Sequence, residues 1–221
     1  MLLPERIPQV TLLREWRGLT YPQLVTKLLA LFMQDDDDDD GKKEDKVPLE
    51  EIVDASFACF ATPEVVTFKE LPWPSSSSPS SSASSSSSSS SLPPSLHIAE
   101  LFHGPSLAFK DLGMQVLTHL LNHYLSKQHQ KMTFLVGTSG DTGPSAAAAV
   151  KGKEQMRLIV LYPLGRVSPL QEAQMLAAHE RGGGGREGGR KRGNVRVVAV
   201  EGTSDDLDEP IAELFQDQEY R

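Results

Sequence analysis

Apolar residues in the first third of the chain recur at helical spacing in two stretches. A capping-box pair, Thr20 and Gln23, precedes one stripe at a period near 3.6 residues, made of Leu24, Val25, Leu28, Leu29 and Phe32. A second stripe spans residues 48–60, and a short strand-like run follows at 65–68. These patterns predict a small helical domain at residues 1–73.

The remaining apolar pattern alternates between strand and helix. From residue 96 it predicts strands at 97–101, 132–137, 158–162 and 195–200, and helices at 110–127, 144–151, 169–179 and 205–215. Regular alternation of this kind favours an α/β fold with a doubly wound parallel sheet. We therefore predict an α/β domain over residues 96–221.

Three segments interrupt this pattern because they lack the apolar residues that a core requires. Residues 35–46 are an acidic insertion, residues 74–95 a Ser/Pro-rich linker, and residues 182–193 a Gly/Arg-rich insertion. We predict that all three are solvated segments and assign no function to them.

Composition narrows the functional classes. The formal net charge is −8, but six aspartates at residues 35–40 account for most of it, and no basic surface suggests nucleic-acid binding. The single cysteine, Cys59, excludes an internal disulfide, and the N-terminal residues have neither a signal-peptide pattern nor a membrane span. We expect a cytoplasmic protein without membrane or nucleic-acid partners and without a metal site.

One candidate site is a turn that carries a lysine to the start of a helix. It reads His-Gly-Pro-Ser-Leu-Ala-Phe-Lys-Asp over residues 103–111, so that Leu107, Ala108 and Phe109 precede Lys110. Apolar neighbours favour a neutral amine, which can attack an aldehyde. The simpler alternative is that Lys110 is an ordinary surface charge whose stem lies on the protein.

A second candidate site follows the next predicted strand. The loop contains Thr138, Ser139, Gly140, Asp141, Thr142 and Gly143, and it leads into an alanine-rich helix. Hydroxyl groups and backbone amides at a helix N-terminus can bind an anion. The structural alternative is that a side chain of this loop merely caps the helix and its glycines merely permit the turn.

The two motifs together resemble the threonine synthase family of fold-type II pyridoxal-phosphate enzymes. The resemblance extends to residues 3–8, the helix at 19–32, and residues 63–66, 159–163 and 201–206. The last segment looks most like the animal threonine synthase-like phospho-lyases. Ser106 stands where the family usually has threonine, and Pro144 where a small residue is more usual.

The resemblance implies a site and a reaction. Lys110 would be the catalytic residue and would hold pyridoxal 5'-phosphate as a Schiff base. Residues 138–143 would bind the substrate carboxylate, and Asp141 would also lie near the cofactor ring. The family eliminates phosphate from small phosphorylated amino acids, and the products are threonine or 2-oxobutyrate and ammonia.

The resemblance also places the family's phosphate-binding glycine loop and its ring-nitrogen partner beyond Arg221. We therefore expect a C-terminally truncated chain in which the second half of the catalytic fold is missing. An apolar face left exposed in this way would favour a homo-oligomer or a protein partner. Two alternatives to an enzyme are a non-catalytic form that binds another protein and a phosphate-binding module that uses the 138–143 loop alone.

Overall fold

The computed structural model describes residues 14–33, 47–72, 95–179 and 193–217. The acidic insertion lies outside these ranges. So do the linker up to residue 94, the Gly/Arg-rich insertion up to residue 192, and the N-terminal segment at 3–8 that contributes to the family resemblance.

Two helices near the start of the described chain confirm the first apolar stripes. A short 3-10 turn at Trp16–Gly18 precedes α1 (Tyr21–Ala30), and α2 spans Leu49–Phe57. The predicted capping box of α1 is present. The edge of the Phe57 ring lies against Tyr21 with 5.4 Å between ring centroids, so α1 and α2 share an aromatic contact. Val53 and Phe57 of α2 also pack against Val116 of the following helix.

The strand predicted at 97–101 does not join the parallel sheet. Instead β2 (Ser95–Glu100) pairs with β1 (Thr67–Pro72) as an antiparallel ribbon, with Thr67 opposite Glu100. A strand followed by a helix has the same local pattern in either arrangement, so periodicity could not tell which partner this strand takes. The ribbon joins chain segments on both sides of the predicted linker, and the division into domains stays a prediction.

The rest of the described chain confirms the α/β fold. Its elements are α3 (Lys110–Lys127), β3 (Met132–Gly137), α4 (Thr142–Val150), β4 (Met156–Pro163), α5 (Pro169–Ala178), β5 (Val195–Val200), a 3-10 turn (Asp205–Leu207) and α6 (Asp208–Gln216). Strands β3, β4 and β5 lie in that order and are parallel. Helices therefore connect neighbouring strands, as in other parallel sheets.

The two faces of this sheet are covered differently. On one face Met156, Leu158, Val160 and Tyr162 of β4 are buried in a cluster that includes residues of α3, α4 and α5. The opposite face includes Gly137, where a Cβ would lie 2.9 Å from Ile211 of α6. Helices thus lie on both sides of the sheet.

Apolar side chains remain exposed on the second face and on α6. Val198 of β5 is 45% exposed and Phe215 of α6 is 58% exposed. A homo-oligomer or protein partner at this face stays a prediction. In the described ranges, no helix has both the length and the apolar character needed to cross a membrane.

Candidate functional site

The lysine loop, residues 103–111, is organised around a buried carboxylate. Asp111 is fully buried, and its side chain accepts hydrogen bonds from the Ser106 backbone N–H at 2.8 Å and the Ser106 hydroxyl at 2.7 Å. A Cβ at Gly104 would overlap the Asp111 side chain, so this position requires glycine. The loop therefore closes on the residue that directly follows Lys110.

The same loop adopts an uncommon backbone conformation at Leu107. Its φ is 63°, in the left-handed region that disfavours residues with a Cβ. The Leu107 N–H donates to the Gly104 carbonyl at 3.1 Å, which closes a tight turn. The Asp111 contacts and this turn hold the strained residue in place just before the lysine.

Lys110 is the first residue of the 18-residue helix α3, as the sequence predicts. Its side chain is half-buried, and its Nζ lies 5.2 Å from the centroid of the Phe109 ring. Within the described ranges the Lys110 amine has neither an ion pair nor a hydrogen bond. Leu107 and Phe109 are each 59% exposed, so both apolar side chains are open to solvent beside the lysine.

The lysine loop is anchored at its start by the antiparallel ribbon. His103 Nε2 lies 2.9 Å from Thr67 Oγ1 and 3.4 Å from Glu100 Oε2. Glu100 pairs with Lys69 at 2.6 Å, and this hydrogen bond, with smaller contributions from Thr67 and His103, lowers the pKa of Glu100 below its ordinary value. The ribbon thus fixes the entry to the loop.

The amide loop, residues 138–143, is organised around a buried hydroxyl. Thr138 is 5% exposed, and its Oγ1 accepts the backbone N–H groups of Gly140 at 3.1 Å and Gly143 at 3.0 Å. The Thr138 hydroxyl therefore shapes the loop from inside. Whether it also contacts a substrate stays a prediction.

Thr138 caps the first turn of α4 through the Gly143 N–H, and other groups of the amide loop have no such role. Asp141 is the N-cap of α4, but its side chain makes no capping hydrogen bond. Within the described part of the chain, the N–H groups of Ser139, Asp141 and Thr142 have no hydrogen-bond partner. Unpaired amides at the start of a helix can bind an anion, and the binding of a substrate carboxylate here stays a prediction.

The two loops lie at the same end of neighbouring helices. The hydroxyl of Thr118 in α3 donates to the carbonyl of Ala149 in α4 at 3.2 Å. Thr118 lies about 12 Å along α3 from Lys110, and Ala149 about 10 Å along α4 from Thr142, at a rise of 1.5 Å per residue. Each of these helices leads by a short connection into one of two parallel neighbouring strands, β3 and β4, so both helices begin toward the same edge of the sheet.

Two residues of α5 that contact the two loops were not predicted from the sequence. Gln171 Nε2 donates to Asp141 Oδ1 at 2.6 Å, and Gln174 Nε2 donates to the Ser106 carbonyl at 3.1 Å. The capping-box spacing of Ser168 and Gln171 was visible in the sequence, but it predicts only a helix start. Among the described residues, no group of three or more His, Cys, Asp or Glu side chains could hold a metal ion.

Comparisons with known proteins agree on one group. The chain is 35% identical to human threonine synthase-like 2 over 219 residues, which covers 98% of the chain and 37% of that protein. It is 33% identical to the Xenopus laevis threonine synthase-like 2, covering 100% of the chain and 39% of that protein. No protein-family model matches the sequence.

Solved structures give the same answer for the fold. Yeast threonine synthase superposes with a TM-score of 0.70 at 26% identity, covering 99% of this chain and 38% of that one. Pyridoxal-phosphate-bound threonine synthase from Brucella melitensis superposes with a TM-score of 0.69 at 27% identity. The match covers 98% of this chain and 39% of that one. The chain thus spans less than two fifths of the length of these relatives. Across almost all of its own length, it belongs to the threonine synthase family.

Proposed function

We propose that this chain supplies the lysine and the carboxylate-binding loop of a pyridoxal-phosphate-dependent lyase or synthase. The main support is Lys110 itself. This half-buried residue at the start of α3 has an unpaired amine, and α3 contacts the helix that begins with the amide loop. Relatives named threonine synthase, one of them solved with pyridoxal phosphate bound, support the same cofactor here.

The chemistry of the donor set fits the reactive end of this cofactor. An aldehyde requires a primary amine that no carboxylate holds, and Lys110 has no such partner in the described ranges. A substrate carboxylate requires free N–H donors, and the amide loop has them at Ser139, Asp141 and Thr142 within the described ranges. When bound, pyridoxal phosphate supplies an electron sink for negative charge that develops beside the substrate amino group.

Each protein group has a defined part in the proposed reaction. Lys110 would hold the cofactor through Nζ as a Schiff base, with the aldehyde oxygen lost as water, and its amine would accept and return protons as a general base and acid. The amide loop orients the substrate through its carboxylate, so that the proton next to that carboxylate faces Lys110. Asp141, whose carboxyl group accepts a hydrogen bond from Gln171, would lie near the cofactor ring.

The proposed substrate is a small O-phosphorylated hydroxy-amino acid. Phosphate leaves with the electrons of its carbon–oxygen bond after the protein removes a proton from the substrate. With phosphohomoserine, water would then add to the carbon chain to give threonine. With phosphothreonine, water would instead release the amino group as ammonia and leave 2-oxobutyrate. Either outcome releases one inorganic phosphate per substrate.

Covalent capture tests the proposal most directly. We would incubate the purified chain with pyridoxal phosphate, reduce with borohydride, and map the modified peptide by mass spectrometry. Lys110 should be modified in preference to Lys127, the exposed lysine at the other end of the same helix. Lys110→Ala should abolish the main adduct, and Lys127→Ala should not change it.

Two results would overturn the proposal. A folded wild-type chain that forms no adduct would favour the non-catalytic alternative, and equal labelling of Lys110 and Lys127 would identify Lys110 as an ordinary surface lysine. If Lys110 is captured, phosphate release from phosphothreonine compared with phosphohomoserine decides between lyase and synthase.

A further inference from the structure

We infer that Gln171 and Gln174, the glutamine pair of α5, are positioning residues that set the two site loops relative to each other. This inference rests on the proposed function, because it assigns the pair to the lysine and carboxylate-binding parts of that site. Gln171 donates a hydrogen bond to Asp141 of the amide loop, and Gln174 donates one to Ser106 of the lysine loop.

Gln171 uses both ends of its amide group. Its Oε1 accepts the Ser168 N–H at 3.2 Å to complete the capping box of α5, and its Nε2 donates to Asp141 Oδ1 at 2.6 Å. A Cβ at Gly140 would lie 2.8 Å from the Gln171 amide nitrogen, so glycine at this position permits the close approach. The side chain thus connects the start of α5 to the N-cap of α4.

Gln174 lies three residues further along α5, on the same face of the helix. Its Nε2 donates to the Ser106 carbonyl at 3.1 Å. The N–H and hydroxyl of Ser106 both donate to Asp111, directly after Lys110. Gln174 therefore positions Ser106, the hydrogen-bond partner of Asp111. Its effect on Lys110 is indirect and passes through Ser106 and Asp111.

Met175 completes the contact between α5 and the amide loop. It is fully buried, and a Cβ at Gly143 would lie 2.5 Å from its sulfur. Within five consecutive positions α5 therefore touches both loops. Since a helix is rigid over this length, the spacing of the two loops follows from the spacing of these side chains.

The capping box of α1 shows that the box does not explain Gln171 by itself. Thr20 and Gln23 form the same pair of hydrogen bonds, and in the described ranges the Gln23 side-chain nitrogen has no partner. A capping box accepts glutamate as well as glutamine at this position. At residue 171, glutamate would bring a second carboxylate against Asp141. The required group at 171 is therefore a donor.

The test compares Gln171→Glu and Gln174→Glu with Gln23→Glu as the matched control. All three changes keep size and shape, and both box residues keep their capping oxygen. Amide hydrogen exchange is measured on the chain without cofactor, at the N–H groups of Gly140 and Gly143 and at that of Ser106. We expect about tenfold faster exchange of the Gly140 and Gly143 amides in Gln171→Glu and of the Ser106 amide in Gln174→Glu. Gln23→Glu should leave all three unchanged.

A second readout separates the two glutamines. The rate of borohydride-fixed labelling at Lys110 should fall about tenfold in Gln174→Glu. In Gln171→Glu this rate should stay within about twofold of wild type, because that change disturbs the amide loop rather than the lysine loop. Exchange rates that match the Gln23→Glu control in both variants would overturn the inference. If Gln171→Glu does not fold, Gln171→Met against Gln23→Met tests the same donor without adding a charge.

Failure of the inference and failure of the proposed function are distinguishable. Absence of labelling at Lys110 in the wild-type chain rejects the function, whereas the exchange rates are measured without cofactor and report only on the loops. Labelled wild-type protein with unchanged exchange in both variants would reject the role of the glutamine pair alone.

Discussion

The lysine loop and the amide loop are each held closed by one buried hydrogen-bond acceptor, but the two acceptors are different chemical groups. The first closes on the carboxylate of Asp111, which accepts two hydrogen bonds from Ser106. The second closes on the hydroxyl of Thr138, which accepts the N–H groups of Gly140 and Gly143. In each loop one buried acceptor receives two donors, and among the described residues the Lys110 amine and the N–H groups of Ser139, Asp141 and Thr142 have no partner.

The difference is one of charge, because the donors of both loops are buried: Ser106 in the first, Gly140 and Gly143 in the second. Asp111 is a fully buried carboxyl group, whereas the acceptor of the amide loop is the neutral hydroxyl of Thr138. Hydrogen bonds to a charged acceptor contribute more to stability than those to a neutral one. We therefore expect the lysine loop to depend more strongly on its central residue than the amide loop does.

The largest expected effect is that of Asp111→Ala. It leaves the N–H and hydroxyl of Ser106 without an acceptor, and we expect the free energy of unfolding to fall by about 2 to 3 kcal/mol. Urea unfolding followed by circular dichroism measures the change. Asp54→Ala, on the exposed side of α2, is the control and should stay within about 0.5 kcal/mol of wild type. Equal stability of the two variants would remove the contrast between the loops.

A smaller effect is expected from Thr138→Val. Valine keeps the shape of threonine but cannot accept the two glycine N–H groups, and we expect a loss of about 1 to 2 kcal/mol in the free energy of unfolding. Thr133→Val, at an exposed position of β3, the strand that precedes the amide loop, is the matched control and should have little effect. A loss larger than that of Asp111→Ala would reverse the proposed order.

The smallest effect is expected from Tyr162→Phe, which should act on both loops alike. The Tyr162 hydroxyl donates to Glu172 Oε1 at 2.7 Å and so fixes α5, the helix that contacts both loops. Removing this bond should lower the free energy of unfolding by about 1 kcal/mol at neutral pH. Hydrogen exchange should then rise by a similar factor in the two loops. A change confined to one loop would show that α5 does not link them equally.

The same variant has a predicted pH signature. Burial, with the Glu172 contact in second place, raises the pKa of Tyr162 to about 12. The unfolded chain ionises this tyrosine at lower pH, near 10, so its contribution to stability is complete below about pH 10 and is lost as the pH rises toward 12. The wild-type and Tyr162→Phe stability curves should converge over this range. Tyr124→Phe, at an exposed tyrosine of α3, should leave the curve unchanged.

Several features were predictable because their causes are local. The capping box of α1, the start of α3 at Lys110 and the helix after the amide loop all follow from residues close together in sequence. The parallel order of β3, β4 and β5 follows from their alternation with helices. The pairing of β1 with β2 did not follow, since the pattern of one strand does not identify its partner.

The sequence by itself determined which groups stand at the candidate site: an amine at the start of one helix, and hydroxyls, amides and a carboxylate at the start of the next. Tertiary structure decided what surrounds them. Asp111 became the buried centre of its loop, Leu107 and Phe109 turned outward, and Gln171 and Gln174 contacted residues 30 and 68 positions away. Contacts across such distances leave no periodic pattern in the chain, because they arise only when the helices pack.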